Sequence, residues 1–252
     1  MTEIDLTTPA EPVAAVEPEA PAATSRWEDF IDIFYAPASV YARRAASGPG
    51  LPIVVVTLLV GGIFFANSGA MQPIMDAEFQ RAAAGQMAKN PQITPEMMER
   101  GRGFAQTFAK IIPFVFLPIA MLLTGVALWL CGKVVGAVQP LRAALMVAAF
   151  AYVPKVLEAV LNGVQLLVLD PAGLNGRYKL SLGIGRMLDP DTASPLVLAL
   201  LGRVDLFTLW VTLLCVIGLS VTGRITRDKA AAAGVMLWVV GALPGLLQAL
   251  RQ

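Results

Sequence analysis

The feature that most constrains this chain is a series of long apolar stretches without charge. No charged residue occurs between Arg44 and Asp76, and apolar runs free of charge also cover residues 111–132, 206–223 and 230–250. A helix needs about 20 apolar residues to cross the hydrocarbon core of a bilayer, because each residue rises about 1.5 Å. The runs therefore predict membrane-spanning helices at residues 51–70, 111–132, 206–223 and 230–250.

A further apolar stretch, residues 142–169, starts at Arg142 and is interrupted beyond it only by Lys155 and Glu158. It predicts one more spanning helix, kinked at Pro154, because proline cannot donate its backbone hydrogen bond. Charged residues make up 15% of the chain, whereas soluble domains carry about 25%. The sequence thus predicts an all-α integral membrane protein in which residues 47–252 form a bundle of about five transmembrane helices.

Two segments precede the first span. Residues 1–24 are rich in Pro, Ala and Glu and contain no Lys or Arg, which predicts a disordered tail. Residues 25–46 begin with Ser25 and Glu28, the S-x-x-E spacing of a capping box at a helix start. Four apolar residues follow at helical spacing, and they predict an interfacial amphipathic helix. They are Trp27, Phe30, Ile31 and Phe34. Packing of this face against the protein's own loops is the alternative.

The two long connections differ in character. Residues 72–110 are polar and helix-prone, and Pro91 and Pro95 divide them into two predicted helices. Thr94 is the predicted N-cap of the second, with Pro95 in the first helical position. Residues 170–203 contain clusters of Gly, Pro and Asp, which predict a loop with little regular structure.

Basic residues suggest how the chain is oriented. Three dense basic groups come before the first span, after the second and after the fourth, so an even number of crossings places all three on the N-terminal side. They are Arg43 and Arg44, Lys133 and Arg142, and Arg224, Arg227 and Lys229. Because basic residues are enriched in cytoplasmic loops, the pattern predicts a cytoplasmic N-terminus and a C-terminus outside. The alanine-rich composition suits a high-GC bacterium, so the predicted location is the bacterial cytoplasmic (inner) membrane.

The third span carries the candidate polar site. Lys155, Glu158, Asn162 and Gln165 are spaced i, i+3, i+7 and i+10, which places them on one helical face. A charge in the bilayer interior costs roughly 2.5 kcal/mol or more, so such residues usually face the bundle or a wet cavity. The favoured interpretation is a self-neutralised pair that orients helices. The alternative is a polar path for an ion, proton or small solute.

Small residues predict close helix contacts. Gly241 and Gly245 form a GxxxG pair in the last span, on the same face as Gly234, and Gly132 and Gly136 form another near the end of the second span. Glycine at this spacing lets helix backbones approach closely, so helix packing is the predicted role of all five.

No catalytic, cofactor or metal site is predicted. The chain has no histidine, so it lacks the commonest general base and metal ligand. Cys131 and Cys215 lie in apolar runs and are predicted to be buried packing residues. Asp170, Asp189 and Asp191 lack the spacing of a calcium loop. The net charge of +1 and the absence of a basic run give no reason to expect a nucleic-acid partner.

Four segments between about residue 27 and residue 250 carry a family resemblance: WEDFIDIFYAPASVY, QITPEMMERG, YVPKVLEAV, and DLFTLW followed by IGLS and RDKA. In these segments the chain resembles the Yip (Ypt/Rab-interacting-type) family of membrane proteins. The family layout has five spans and a cytoplasmic N-terminus. Eukaryotic relatives carry an Asp-Leu-Tyr-Gly-Pro motif and act with small GTPases in vesicle traffic. This chain lacks that motif, so the sequence does not support small GTPase binding.

The resemblance and the residues together predict a non-enzymatic bacterial member of the family. The expected function is that of a scaffold or partner-binding protein in membrane organisation or trafficking. The expected partners are the lipid bilayer and other membrane proteins or further copies of the chain, with no cofactor. A transporter or channel component that uses the polar face of the third span is the alternative.

Overall fold

A computed structural model describes residues 25–90 and 92–250, and this part of the chain is helical, without a named strand. Ten α-helices follow one another: α1 (Asp29–Asp32), α2 (Pro37–Arg44), α3 (Gly50–Ala66), α4 (Gln72–Lys89), α5 (Pro95–Val134), α6 (Leu141–Ala151), α7 (Pro154–Val168), α8 (Pro195–Leu201), α9 (Leu206–Gly223) and α10 (Arg227–Ala249). Three short 3₁₀ helices (Pro171–Gly173, Arg177–Leu180 and Ile184–Met187) lie between α7 and α8. The predicted tail, residues 1–24, lies outside the described residues.

Four helical segments of the described chain are long and apolar enough to cross a membrane: Pro95–Val134, Leu141–Val168, Leu206–Gly223 and Arg227–Ala249. The prediction of an all-α membrane protein is confirmed. Helix α3, with 17 residues, lies at the lower limit of the length that spans a bilayer. Its role as a fifth span remains a prediction from the sequence.

The predicted kink of the third span is present. Helix α6 ends at Ala151, and α7 begins with Pro154 in its first turn. Proline fits there because the amides of the first turn need no partner inside the helix. Helix α6 is buried along most of its length and packs against α5 and α9.

Helix α5 departs from the prediction. Thr94 caps its start as predicted, because its hydroxyl accepts a hydrogen bond from the Met97 amide at 3.3 Å. The helix then continues for 40 residues to Val134 without a break, although a separate helix was predicted before the second span. The change from polar to apolar residues near residue 111 does not interrupt the helix, because backbone hydrogen bonding within a helix does not depend on side-chain polarity.

The N-terminal segment is tied to the bundle by a buried carboxylate. Asp29, at the start of α1, is fully buried and accepts hydrogen bonds from Arg43 and Arg44 of α2. Arg43 also bridges Asp32 at 2.6 Å. Hydrogen bonds from Tyr35 and Arg43 hold the pKa of Asp32 below its usual range. The predicted capping box does not form, because the Ser25 hydroxyl accepts from the Trp27 amide and α1 begins only at Asp29.

The short connections meet at one end of the bundle, which we call the basic end and define by residues 45–49, 135–140 and 224–226. The Val138 amide donates to the Gly223 carbonyl at 3.2 Å, and the Thr222 hydroxyl donates to Gln139. The guanidinium of Arg142 lies 3.6 Å from where a Cβ of Gly48 would be. The connections after α2, α5 and α9 are therefore neighbours.

The opposite end, which we call the cavity end, comprises α4, α8 and residues 169–205. A small apolar cluster holds it together: Ile74, Leu166, Leu174 and Leu180 are buried against one another. Residues 170–203 were predicted as loop and are largely that, but α8 (Pro195–Leu201) forms within them and packs against α10. The Ser194 hydroxyl caps α8 by accepting a hydrogen bond from the Val197 amide.

Candidate functional site

Helix α7 carries all four residues of the predicted polar stripe. Because α7 is regular from Pro154 to Val168, residues spaced i, i+3, i+7 and i+10 share one face of it. Lys155 lies one residue after the break between α6 and α7, and Gln165 lies one turn before the end of α7. The stripe therefore runs along α7 from the middle of the Leu141–Val168 segment to the cavity end.

Lys155 and Glu158 form an ion pair along the helix. Their Nζ and Oε2 atoms are 2.6 Å apart, and their side chains are 25% and 22% exposed. The buried Oε2 of Glu158 is therefore occupied by the Lys155 ammonium. The pair neutralises itself but leaves hydrogen-bonding capacity on both groups.

Asn162 and Gln165 belong to a hydrogen-bonded chain at the cavity end. The Gln165 amide nitrogen donates to Asn162 at 3.3 Å and to the Leu180 carbonyl at 3.0 Å. Arg186 donates to the Gln165 carbonyl oxygen at 2.6 Å. These bonds tie α7 to residues 180–186, so this half of the stripe fixes the connection that follows α7.

A cavity of about 230 Å³ opens beside the other half of the stripe. Lys155, Glu158 and Asn162 contribute polar groups from α7, and Asn67 contributes one from the end of α3. The rest of the lining is mainly apolar: Val60, Ile63, Phe64, Met71, Leu117, Ala159, Gly163, Leu166 and Leu180. Every residue that α3 contributes comes from its second half, so the cavity lies in the half of the bundle that is nearer to the cavity end.

A larger cavity of about 610 Å³ lies between α4, residues 177–199 and the end of α10. Arg81 of α4 organises its wall, with its guanidinium 2.7 Å from a carboxylate oxygen of Asp191 and 2.6 Å from the Asn175 carbonyl. Glu78 accepts a hydrogen bond from the Arg177 amide at 3.1 Å. These contacts draw α4 against the connection before α8 and leave a groove between them.

Three polar residues near the site were not singled out from the sequence. Asn67 is placed by the end of α3, and Arg186 reaches Gln165 from a separate segment. Asp205 is buried, caps α9 through the amides of Phe207 and Thr208, and accepts a hydrogen bond from Ser181. Only Asp205 left a signal in the sequence, as an acidic residue immediately before an apolar run.

The predicted interfacial face divides into two. Phe30 packs against Phe150, with ring centroids 5.7 Å apart, and Phe34 packs edge-on against Trp210. Trp27 and Ile31 are each 63% exposed. Two side chains of this face therefore contact helices of the bundle, two project away from it, and the interfacial anchor stays a prediction.

The five predicted packing glycines have different surroundings. A Cβ at Gly234 would lie 2.2 Å from Val216 of α9, and one at Gly132 would lie 3.0 Å from Leu219. Gly241 makes room for Arg203, and Gly245 faces α8 at an ordinary distance. The GxxxG interpretation of Gly136 is wrong, because α5 ends at Val134 and Gly136 has φ +85° with open space around its Cβ position.

Gly136 instead completes a Schellman motif. The Ala137 amide donates to the Gly132 carbonyl at 2.8 Å, and the Gly136 amide donates to the Lys133 carbonyl at 3.1 Å. This motif ends helices by placing one residue in the left-handed region, where glycine has no steric penalty.

The remaining reactive side chains are arranged as packing or capping groups. Cys131 and Cys215 are buried and unpaired, as predicted. Asp189 and Asp191 both accept hydrogen bonds from the Asn175 amide, at 3.1 and 2.9 Å. Within residues 25–90 and 92–250, no group of three or more Cys, Asp or Glu side chains is arranged to hold a metal ion.

Comparison with known proteins gives one clear result. Neither the search of curated proteins nor that of solved structures found a match. The family model described as the Yip1 domain matches residues 31–247, which covers α2 to α10 and nearly all of the described chain. The chain therefore belongs to the Yip1 domain family of membrane proteins.

Proposed function

We propose that this protein is a non-enzymatic scaffold that binds a partner membrane protein and takes part in membrane organisation or trafficking. The observation that carries the proposal is an exposed aromatic pair outside the predicted second span. Phe104 and Phe108 are 65% and 48% exposed, and their ring centroids are 4.2 Å apart. Aromatic side chains are enriched at the energetic centres of protein interfaces.

The aromatic pair lies on a supported arm. We define the arm as α4 together with residues 95–110 of α5. Arg102 of α5 contacts Asp76 of α4, with 2.7 Å between guanidinium and carboxylate atoms, and Gln106 donates to the same carboxylate. These contacts hold the two helices of the arm together, while the rings of Phe104 and Phe108 stay exposed and are available to a partner.

The polar stripe favours a scaffold over a transporter. Lys155 and Glu158 neutralise each other, and Gln165 is bonded to Leu180 and Arg186 within the protein. The adjoining cavity is lined from the second half of α3 only. A path for solute requires polar groups on both sides of the membrane midplane, and this cavity supplies them on one side.

We also propose that the basic end faces the cytoplasm of a bacterial cell, with the protein in the inner membrane. The support is the positive-inside rule, because the connections flanked by the three basic groups are neighbours at that end. Reporter fusions at Gln252 and within residues 224–229 test this orientation. A cytoplasmic signal at Gln252 would rule out five spans with a cytoplasmic N-terminus.

The exposed half of the N-terminal face fits the same orientation. Trp27 and Ile31 would contact the cytoplasmic leaflet as interfacial anchors, while Phe30 and Phe34 hold the segment on the bundle. Spin labels at Trp27 and Ile31 are expected to sense lipid, and a label at Phe30 is expected to be immobilised by protein contacts. Full exposure to water at Trp27 and Ile31 would contradict an anchor.

The scaffold proposal is tested by affinity purification from native membranes with identification of the co-purifying proteins. The double variant Phe104→Ser with Phe108→Ser is expected to lose a partner that the native chain retains. Val134→Ser is the matched control, because Val134 is an exposed apolar residue at the other end of the same helix, outside the arm. Solute flux through vesicles containing the purified chain, together with unchanged co-purification in the double variant, would overturn the proposal.

A further inference from the structure

The cavity beside α7 has accessible polar groups that could bind a ligand, in addition to the contact within its ion pair. Lys155 and Glu158 lie within an apolar helical segment that is long enough to span the membrane, yet a quarter or nearly a quarter of each side chain remains accessible. Accessible charge in that position must be solvated by something other than hydrocarbon, because exposure to lipid tails alone is costly. The occupant must therefore bring polar groups to this wall.

The chemistry of the wall selects a zwitterion. Lys155 contributes an ammonium that has further protons to donate, and Glu158 contributes a carboxylate on a side chain that is 22% exposed. The two charges sum to zero, so a net-neutral ligand that carries both signs matches better than an anion or a cation. Asn67 and Asn162 add uncharged polar groups beside the pair.

The remainder of the lining is suited to hydrocarbon. Aliphatic and aromatic side chains of α3 and α7, with Leu117 of α5, form most of the cavity surface. Its volume of about 230 Å³ corresponds to roughly seven or eight waters at about 30 Å³ each. A chain of waters would satisfy the polar wall but not the apolar one, whereas an amphiphile satisfies both.

The depth of the cavity agrees with a lipid head group. Asn67 follows the last residue of α3 and lies against Gly163, 3.1 Å from its Cβ position, which marks where α3 ends along α7. Glu158 is five residues before Gly163, or about 7.5 Å along the helix. A head group drawn slightly inward from the bilayer surface reaches that depth, since the interfacial layer itself is about 5–7 Å thick.

We propose that this cavity binds the head group of an amino-phospholipid of the phosphatidylethanolamine class. The lipid ammonium donates to Glu158, its phosphate accepts from Lys155 and Asn162, and its glycerol and upper acyl carbons contact the apolar lining. The site stands whether or not the arm binds a partner, because it uses none of the residues of the arm. No covalent step is involved.

Binding of three lipids with identical acyl chains to the purified full chain tests the proposal. Phosphatidylethanolamine, phosphatidylcholine and phosphatidylglycerol are compared by native mass spectrometry and by the shift of the unfolding temperature on lipid addition. Phosphatidylcholine cannot donate a hydrogen bond from its quaternary ammonium, so it is expected to bind about tenfold more weakly than phosphatidylethanolamine. Phosphatidylglycerol lacks the ammonium and is expected to bind as weakly.

Two variants locate the site. Ala159→Phe fills the cavity from α7 and is expected to abolish the preference for phosphatidylethanolamine. Val160→Phe is the matched control, because it adds the same ring to the next residue, which is exposed on α7 outside the cavity lining. Glu158→Gln keeps the shape of the side chain and is expected to reduce the preference for phosphatidylethanolamine about tenfold. This second variant tests the site even if Ala159→Phe does not fold.

Several results would overturn the proposal. Equal binding of the three lipids by the native chain would exclude recognition of the head group. Tighter binding of phosphatidylglycerol would show that the site selects an anion. A preference for phosphatidylethanolamine that survives both Ala159→Phe and Glu158→Gln would place the lipid elsewhere on the protein.

Discussion

Asp29 and Glu158 are both carboxylates removed from water, and they are held in different ways at the two ends of the molecule. Near the basic end, Asp29 is fully buried and bonded to two arginines of the following helix, 14 and 15 residues away. Glu158 lies beside a cavity and contacts one lysine three residues away in its own helix. The first arrangement joins two helices, whereas the second joins none.

This difference bears on what each end contributes. A charge cluster that bridges separate elements stabilises their arrangement, because the elements must dock before the buried carboxylate is satisfied. A pair within one helix is formed whenever the helix is formed, and it leaves its free protons and lone pairs to the neighbouring cavity. We expect stability to depend most on the basic end and ligand binding to depend on the cavity end.

The substitution with the largest expected effect is Asp29→Ala. It leaves Arg43 and Arg44 without their shared buried partner, and the expected loss in the free energy of unfolding is about 3 kcal/mol. Equilibrium unfolding in mixed detergent micelles measures it. Asp32→Ala is the control, because Asp32 lies in the same segment but is partly exposed, and it should cost less. Equal losses from the two changes would mean that the full burial of Asp29 adds nothing to its contribution to stability.

A smaller loss is expected at Lys155. Lys155→Met leaves Glu158 without its cation and should cost about 2 kcal/mol, less than a fully buried pair because both side chains are partly exposed. The double change Lys155→Met with Glu158→Leu should recover much of that loss, since no charge then remains in the apolar segment. The same unfolding assay tests both variants. Strictly additive losses would mean that the two residues do not interact.

Gly136→Ala tests backbone conformation at the basic end. Gly136 has φ +85°, so a Cβ there is strained even though nothing lies within 4 Å of its position. The expected cost in unfolding free energy is about 1 kcal/mol. Gly173→Ala is the matched control at the cavity end, because Gly173 is equally open but lacks a positive φ. A cost at Gly173 equal to that at Gly136 would contradict the explanation from φ.

The smallest expected effect is that of deleting residues 1–23. These residues contain little apolar surface, and the described contacts of the basic end begin at Ser25 and Trp27. The truncated chain should insert into membranes and unfold at the same temperature as the full chain. Thermal unfolding in detergent measures this. A clear drop in that temperature would mean that residues 1–23 contribute to the stability of the folded chain.

The helical architecture followed from the sequence because its signals are long and local. Apolar runs of about 20 residues predicted where long apolar helices lie, and Thr94 with Pro95 predicted the start of α5. The continuation of α5 through the predicted membrane boundary was missed, because solvent polarity leaves no mark on helix propensity. Helix α8 was not predicted, because its seven residues make only about two turns and the residues around it are rich in Gly, Pro and Asp.

The candidate site was predicted only in part. Residues on one helix can be grouped by spacing, so the stripe from Lys155 to Gln165 was accessible to sequence analysis. Asn67 and Arg186 reach the same region from other elements, and their proximity depends on how α3 and residues 180–186 pack against α7. Gly136 shows the converse, because its GxxxG spacing is correct but the helix ends before reaching it.

The length of α5 has a mechanical consequence. Forty residues at 1.5 Å each make a rod of about 60 Å, twice the thickness of the hydrocarbon core. Pro113 and Pro118 lie within it just beyond the arm, and each removes one amide donor, so the carbonyls of Ala109 and Phe114 lose their helical partners. Two missing helical hydrogen bonds make residues 109–118 the part of α5 that is expected to bend most easily.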